Sequence, residues 1–225
     1  MATCVLTSSL SRIGVASDAY RLPYTPSGGA FSIWGLIFPS LVAFGVEQSK
    51  DPVPRAANWL LCASLLLSSA WAILFSRNTK PYVTAASAVL AVSAAASCAS
   101  TALVGPKGGG GWSVSVLTIE APSCLYSGWL LLAATLGAGI VSKAYGDTTQ
   151  PPLSEQILYA PVAIGVLLSV LLKLPFLLAP VLWGLLFIRT GDAAGIVPGY
   201  SNTVLTLIAL TCLGLGGSIY RRTAC

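Results

Sequence analysis

Seven stretches of this chain each run fifteen residues or more without a charged side chain: 30–46, 57–75, 82–104, 121–141, 157–172, 174–188 and 200–220. An apolar α-helix needs about 20 residues to cross a hydrocarbon layer roughly 30 Å thick, and about 17 is the lower limit. Inside lipid every backbone N–H and C=O must be paired within the protein, so runs of this length fold as helices. Only 8% of the residues are charged and 55% are hydrophobic, against about a quarter charged in an ordinary soluble domain. The pattern predicts an all-α, polytopic integral membrane helical bundle of about seven transmembrane helices.

Punctuation between the runs sets the organisation. Residues 1–28 are polar and broken by Pro23 and Pro26, which predicts a surface arm. They match a cleavable signal peptide poorly, because no basic residue precedes Arg12 and no long apolar segment follows it. Residues 29–222 then form a single transmembrane domain, with 223–225 as a tail. Ser76 to Pro81 predict a tight hairpin loop, and Gly105 to Gly111 a flexible one. The run 82–104 is rich in Ala and Ser; small side chains let helix backbones approach closely, which places it inside the bundle. Pro122 in the first turn after Glu120 marks a helix start, with Glu120 favoured there by the helix dipole. Lys173 and Pro175 divide runs five and six, giving two helices and seven in all, or one kinked helix and six. Arg221 and Arg222 close the last run and are expected to hold its end at the interface. With seven helices, six basic residues fall on each side, so the charge count assigns no orientation.

The same residues narrow the chemistry. There is no histidine, which removes the commonest general base and metal ligand. The six cysteines are scattered without a C-x-x-C pair, so no zinc or redox motif is signalled. All seven acidic residues lie in loops or at run ends, whereas ion-coupled pumps and voltage sensors keep ionisable groups inside the bundle. A non-enzymatic protein is expected. The twelve basic residues are dispersed and predict no nucleic-acid partner. Trp112, Tyr145, Tyr159, Tyr200 and Tyr220 suit an interfacial belt.

Three motifs carry a resemblance. Pro23-Tyr-Thr-Pro-Ser-Gly-Gly-Ala-Phe-Ser-Ile-Trp-Gly-Leu-Ile-Phe38 resembles the opening signature of the tryptophan-rich sensory protein family, distant relatives of the translocator protein (TspO/MBR) family. Ala57-Asn58-Trp59 followed by Ser69-Ala70-Trp71 is similar to that family's Asn and Trp helix, and Ala121-Pro122-Ser123-Cys124-Leu125-Tyr126-Ser127-Gly128-Trp129 to its Pro, Tyr, Gly, Trp helix; Leu182-Trp183-Gly184 is a weaker echo. Phe31 and Trp34, three residues apart, share one helix face. The resemblance implies a TspO/MBR-like core with a pocket for a hydrophobic planar molecule, and Trp34, Asn58, Trp59, Trp71, Tyr126 and Trp129 as its ligand-binding residues. A tetrapyrrole pigment, sterol or lipid is the ligand it implies, with membrane lipid as the surrounding partner.

Relatives commonly carry an apolar helix ahead of the Phe-Ser-Ile-Trp signature, whereas the residues before Phe31 are too polar to supply one. The expectation is a first helix lost, cleaved or replaced, leaving a face that a second protein can cover. The alternative function is therefore a non-catalytic accessory subunit of a larger respiratory or photosynthetic membrane complex. An organellar membrane, thylakoid or mitochondrial, is compatible with either reading.

Overall fold

The computed structural model describes residues 20–22, 24–108, 113–146, 157–189 and 200–223. Seven α-helices form among them: α1 Trp34–Glu47, α2 Arg55–Phe75, α3 Lys80–Val104, α4 Ala121–Ala144, α5 Tyr159–Leu172, α6 Leu178–Arg189 and α7 Tyr200–Thr223. A 3-10 turn, Gly28–Ile33, leads into α1, and a π-helical turn, Val116–Glu120, leads into α4. Five helical segments are long and apolar enough to cross a membrane, with α5 and α6 shorter.

Local chemistry explains where the helices stop. Asn78 takes a left-handed conformation (φ 51°) between α2 and α3, which Asn tolerates better than most residues. Pro81 then opens α3, where its missing N–H costs least. Gly105 ends α3 at φ +65°, a region that disfavours a side chain. Between α5 and α6, Lys173 is left-handed (φ 57°), the Leu174 N–H returns to the Ser169 carbonyl (2.9 Å), and Pro175 begins a new 3-10 turn. The chain reverses there. A Cβ at Gly165 would lie 3.1 Å from Leu178 and 3.8 Å from Val181, so residues about equally far either side of Lys173 face one another. These are two antiparallel helices, which selects seven over six.

The fourth α-helix starts at Ala121 as expected, but helical backbone precedes it. Glu120 is itself helical (φ −68°, ψ −52°) and makes no side-chain cap bond. The π turn joins α4 without interruption, producing one segment of 29 residues, Val116–Ala144. This segment is the axis of the bundle: α3, α6, α1 and α5 all pack on it, α2 packs on α3, and α7 lies against α5 and α6.

Hydroxyl groups join α2, α3 and α4. Ser100 donates to the Ala57 carbonyl (2.8 Å), Thr101 to the Ser123 carbonyl (3.0 Å), and Thr101 and Ser127 share a hydrogen bond of 2.7 Å. Ser93, Ser97 and Thr101 recur every four residues on one face of α3, all buried. Small hydroxyl residues at that spacing let backbones come close and supply bonds that lipid cannot.

Candidate functional site

While α4 contacts most of the bundle, α1 and α2 lean on different neighbours, α1 on α4 and α2 on α3. The space left between them is a cavity of about 490 Å³. Its walls follow from helical periodicity. Phe31, Trp34 and Phe38 lie three and four residues apart along the 3-10 turn and α1, as do Ser68, Trp71 and Phe75 on α2, and all six line the cavity. Residues so spaced share one helix face. From α4 come Tyr126 and Trp129, followed down the same face by Ala133, Gly137 and Ile140.

The aromatic rings form a connected wall. Trp129 receives Phe31 edge-on (centroids 5.9 Å apart, planes at 81°) and Trp34 edge-on (6.3 Å, 82°). Trp34 also stacks on Phe38 (4.9 Å) and meets Tyr126 (6.3 Å), and Trp71 stacks on Phe75 (5.5 Å). Edge-to-face and offset pairs of this kind contribute roughly 0.5–1.5 kcal/mol each beyond their burial. Phe31 and Phe38 are 52% and 57% exposed, so the cavity opens on the bundle surface between α1 and α2.

Two devices hold the wall in place. Trp183 on α6 donates its indole N–H to the Ala30 carbonyl (2.9 Å), and the Ser27 N–H reaches the Phe187 carbonyl (3.1 Å). These bonds fasten the 3-10 turn to α6, giving the Leu182-Trp183-Gly184 echo a positioning role. The second device is the end of the polar arm. Leu22 and Tyr24 are buried, the Leu22 N–H bonds to Thr25 Oγ1 (2.8 Å), and Leu22, Thr25 and Pro26 cover one end of the cavity.

Of the six residues implied by the resemblance, Trp34, Trp71, Tyr126 and Trp129 line the cavity, and Asn58 and Trp59 do not. Trp59 is 75% exposed on the outside of α2. Twelve residues separate it from Trp71, and at about 100° per residue that turns the two rings roughly 120° apart on one helix. Asn58 shares a face with Leu65 but lies two turns away, half-buried. Sequence reasoning missed Phe38, Ser68 and Phe75, although their spacing from Trp34 and Trp71 was the available signal. Tyr145, Tyr159 and Tyr220 are exposed at helix ends. Trp112 and the Tyr200 side chain lie outside the described residues.

A charged cluster occupies the other end of the bundle. Arg222, near the end of α7, forms an ion pair with Glu120, with side chains 3% and 0% exposed. Lys107 joins them through its backbone: its N–H donates to Glu120 Oε2 (2.7 Å) and its carbonyl accepts from Arg222 Nη2 (2.7 Å). The Lys107 ammonium then reaches Asp51 in the loop after α1 (3.2 Å). One expectation is corrected: Glu120 makes no side-chain cap bond, and its carboxylate is instead buried against Arg222 at the end of α7. Arg222, 102 residues away in sequence, is a partner that local pattern could not reveal.

The Asp51 carboxyl is held below its ordinary value of 3.8 by a hydrogen bond from Ser115 and by Lys107. A depressed pKa means the bridge stabilises the fold above the unfolded value and is lost as pH falls through the lower folded one. Asp51→Asn should therefore lower the melting temperature slightly at pH 7, because the carboxylate is about a third exposed. The difference from wild type should vanish in a melt recorded well below pH 3.8; a constant difference at both values would disprove the titration.

Helices of this length and composition around a central helix, with an aromatic cavity opening between two of them, define a multi-pass membrane protein of the helical-bundle class. The chain belongs to the TSPO-like protein family, whose pattern matches residues 2–218. No curated protein and no solved structure matches it.

Proposed function

We propose that this protein is a non-enzymatic membrane receptor or carrier that binds a hydrophobic planar molecule, of tetrapyrrole, sterol or other lipid type, in the cavity between α1, α2 and α4. The observation that supports the reading is the joined ring wall of Phe31, Trp34, Phe38, Tyr126 and Trp129 facing Trp71 across a space of about 490 Å³. Binding sites for small molecules are concave and mostly apolar, with a few polar groups that orient the ligand. Ser68 and Tyr126 are such groups here.

Titration of the protein in lipid nanodiscs with the neutral dimethyl ester of protoporphyrin IX tests this. Saturable quenching of tryptophan fluorescence is expected, weakened at least about 10-fold by Trp34→Ala or Trp71→Ala, since each removes a large stacking surface. Trp59→Ala, outside the cavity, should leave the affinity unchanged. Non-saturating quenching, or equal effects from all three variants, would count against the site. The accessory-subunit alternative makes a different prediction: stoichiometric recovery in one large complex after mild extraction from the native membrane.

A further inference from the structure

The mouth of the cavity opens at the depth of the hydrocarbon. Phe38 and Leu65, which line it from α1 and α2, sit at the middle of the spans Gly28–Glu47 and Arg55–Phe75, 20 and 21 residues long. Phe31, Phe38 and Ser69 line the cavity and are also exposed, so they form its rim. Leu36 and Val42 on α1 and Leu66 and Ile73 on α2 are exposed as well, which puts lipid tails along both helices. Toward the nearer membrane surface the space is shut. Leu22, Thr25 and Pro26 lie over it, Tyr24 is fully buried beside them, and the Lys143 ammonium holds the Arg21 carbonyl.

Water has little to hold it inside. Among the described residues lining the cavity there is no Asp, Glu, Lys or Arg, and each hydroxyl already has a partner in the protein. Thr25 Oγ1 accepts the Leu22 N–H, Ser69 donates to the Leu65 carbonyl, Ser87 reaches the Val83 and Gly137 carbonyls, and Ser68 and Tyr126 share a bond of 2.9 Å. Apolar cavities of this kind stay dry. An empty space of about 490 Å³ is no alternative, because the cost of a void grows with its volume and here would approach the whole stability of a fold. The lining of α4 runs from Tyr126 to Ile140, about 21 Å at 1.5 Å per residue. Spread over that length, the volume has a mean cross-section of about 23 Å², which suits a chain lying along the bundle. The tails of one leaflet span about 15 Å, half of a hydrocarbon layer roughly 30 Å thick, so the cavity is long enough for a whole tail.

We infer that in the bilayer an acyl chain of a neighbouring phospholipid enters between α1 and α2 and fills this cavity, its headgroup staying at the interface. The chain is there whether or not a planar ligand also binds, and such a ligand has to displace it.

A phospholipid carrying a diazirine at the middle of one acyl chain tests this on the whole protein in nanodiscs. After photolysis, peptide mass spectrometry locates the inserted lipid, which marks residues within about 4.5 Å of the chain. Leu66 and Ile73, exposed on α2, report ordinary boundary lipid. Leu130, Ala133 and Gly137 on α4 report the cavity, and Leu185, buried on α6 without lining it, gives the background. Contact with a resident chain should bring the α4 label within about 5-fold of Leu66 and more than about 10-fold above Leu185. In Ala133→Phe, whose ring takes the chain's place, the α4 label should fall at least about 5-fold while Leu66 is unchanged. An α4 label at the level of Leu185 overturns the inference, as does an α4 label that Ala133→Phe leaves intact. If that variant does not fold, the wild-type ratio decides alone. A porphyrin ester that saturates should lower the α4 label; one that saturates and leaves it unchanged overturns the displacement. If the ester saturates and α4 is never labelled, the resident chain alone fails. If α4 is labelled and the ester does not saturate, the planar-ligand reading alone fails.

Discussion

Arg222→Met is expected to cost the folded protein about 3–5 kcal/mol, the range for breaking a buried ion pair from one side. The substitution leaves the Glu120 carboxylate fully buried with the Lys107 N–H as its remaining donor in the cluster, and it strips the Lys107 carbonyl of the Arg222 bond. The damage reaches across the molecule because the pair links the end of α7 to the π turn before α4, and Lys107 extends it to the loop after α1. Glu120→Gln should cost a comparable amount by removing the carboxylate that neutralises the buried guanidinium. The double variant Glu120→Gln/Arg222→Met should recover much of the loss, since a buried pair replaced as a whole is often neutral. Arg221→Met, at an exposed neighbour, should stay within about 1 kcal/mol. Unfolding in mixed detergent–SDS micelles gives all four values. An Arg222→Met protein as stable as wild type would show that the pair is not what anchors α7.

How much of this was legible in the sequence depends on the range of the interaction. Charge-free runs located all seven helices, because the requirement they meet, backbone pairing in lipid, is local. The break at Lys173 and Pro175 was visible, and the Ser169–Leu174 bond shows why it becomes a reversal. The start of α4 at Ala121 followed from Pro122 in its first turn. The π turn that extends the helix upstream, with Glu120 paired to Arg222, had no local signal. The role of Glu120 depends on a residue 102 positions away, and single-sequence reasoning has no access to such pairings.

The cavity divides in the same way. Phe31 and Trp34 were expected to share a face, and both meet Trp129. Trp59 and Asn58 entered through their motif. The motif gives residue identity, whereas the helix phase gives direction, and phase puts Trp59 outside. The polar arm was read as a surface segment, yet Leu22 and Tyr24 are buried. Gly139 on α4 admits Tyr24, since a Cβ there would lie against the phenol oxygen, 2.3 Å away. That accommodation pairs residues on two distant segments, and hydropathy over 1–28 gives no sign of it.

Gly128→Val is expected to be the most damaging single substitution in the bundle's interior, and a graded glycine series tests the reason. A Cβ at Gly128 would lie 2.1 Å from the Leu177 carbonyl oxygen and 3.2 Å from its carbon and from Pro180. These atoms belong to backbone and a proline ring, so relief requires α4 to move away from the turn before α6. Overpacking that side chains can absorb costs about 1–3 kcal/mol; with rigid atoms on the other side, Gly128→Ala should reach the top of that range and Gly128→Val exceed it. At Gly184 the obstructing atom is Leu132 Cδ2, 2.0 Å away, the end of a flexible side chain, so Gly184→Ala should cost less. At Gly45 nothing lies within 4 Å, and Ala should be neutral or stabilise α1 by up to about 1 kcal/mol through helix propensity. The order of stability in SDS unfolding should be Gly45→Ala, Gly184→Ala, Gly128→Ala, then Gly128→Val, from highest to lowest. Because α4 also carries Tyr126 and Trp129, binding of the porphyrin ester by the Gly128 variants should weaken in step with stability. A Gly128→Ala protein as stable as Gly45→Ala would mean that α4 and the α5–α6 hairpin are not in direct backbone contact.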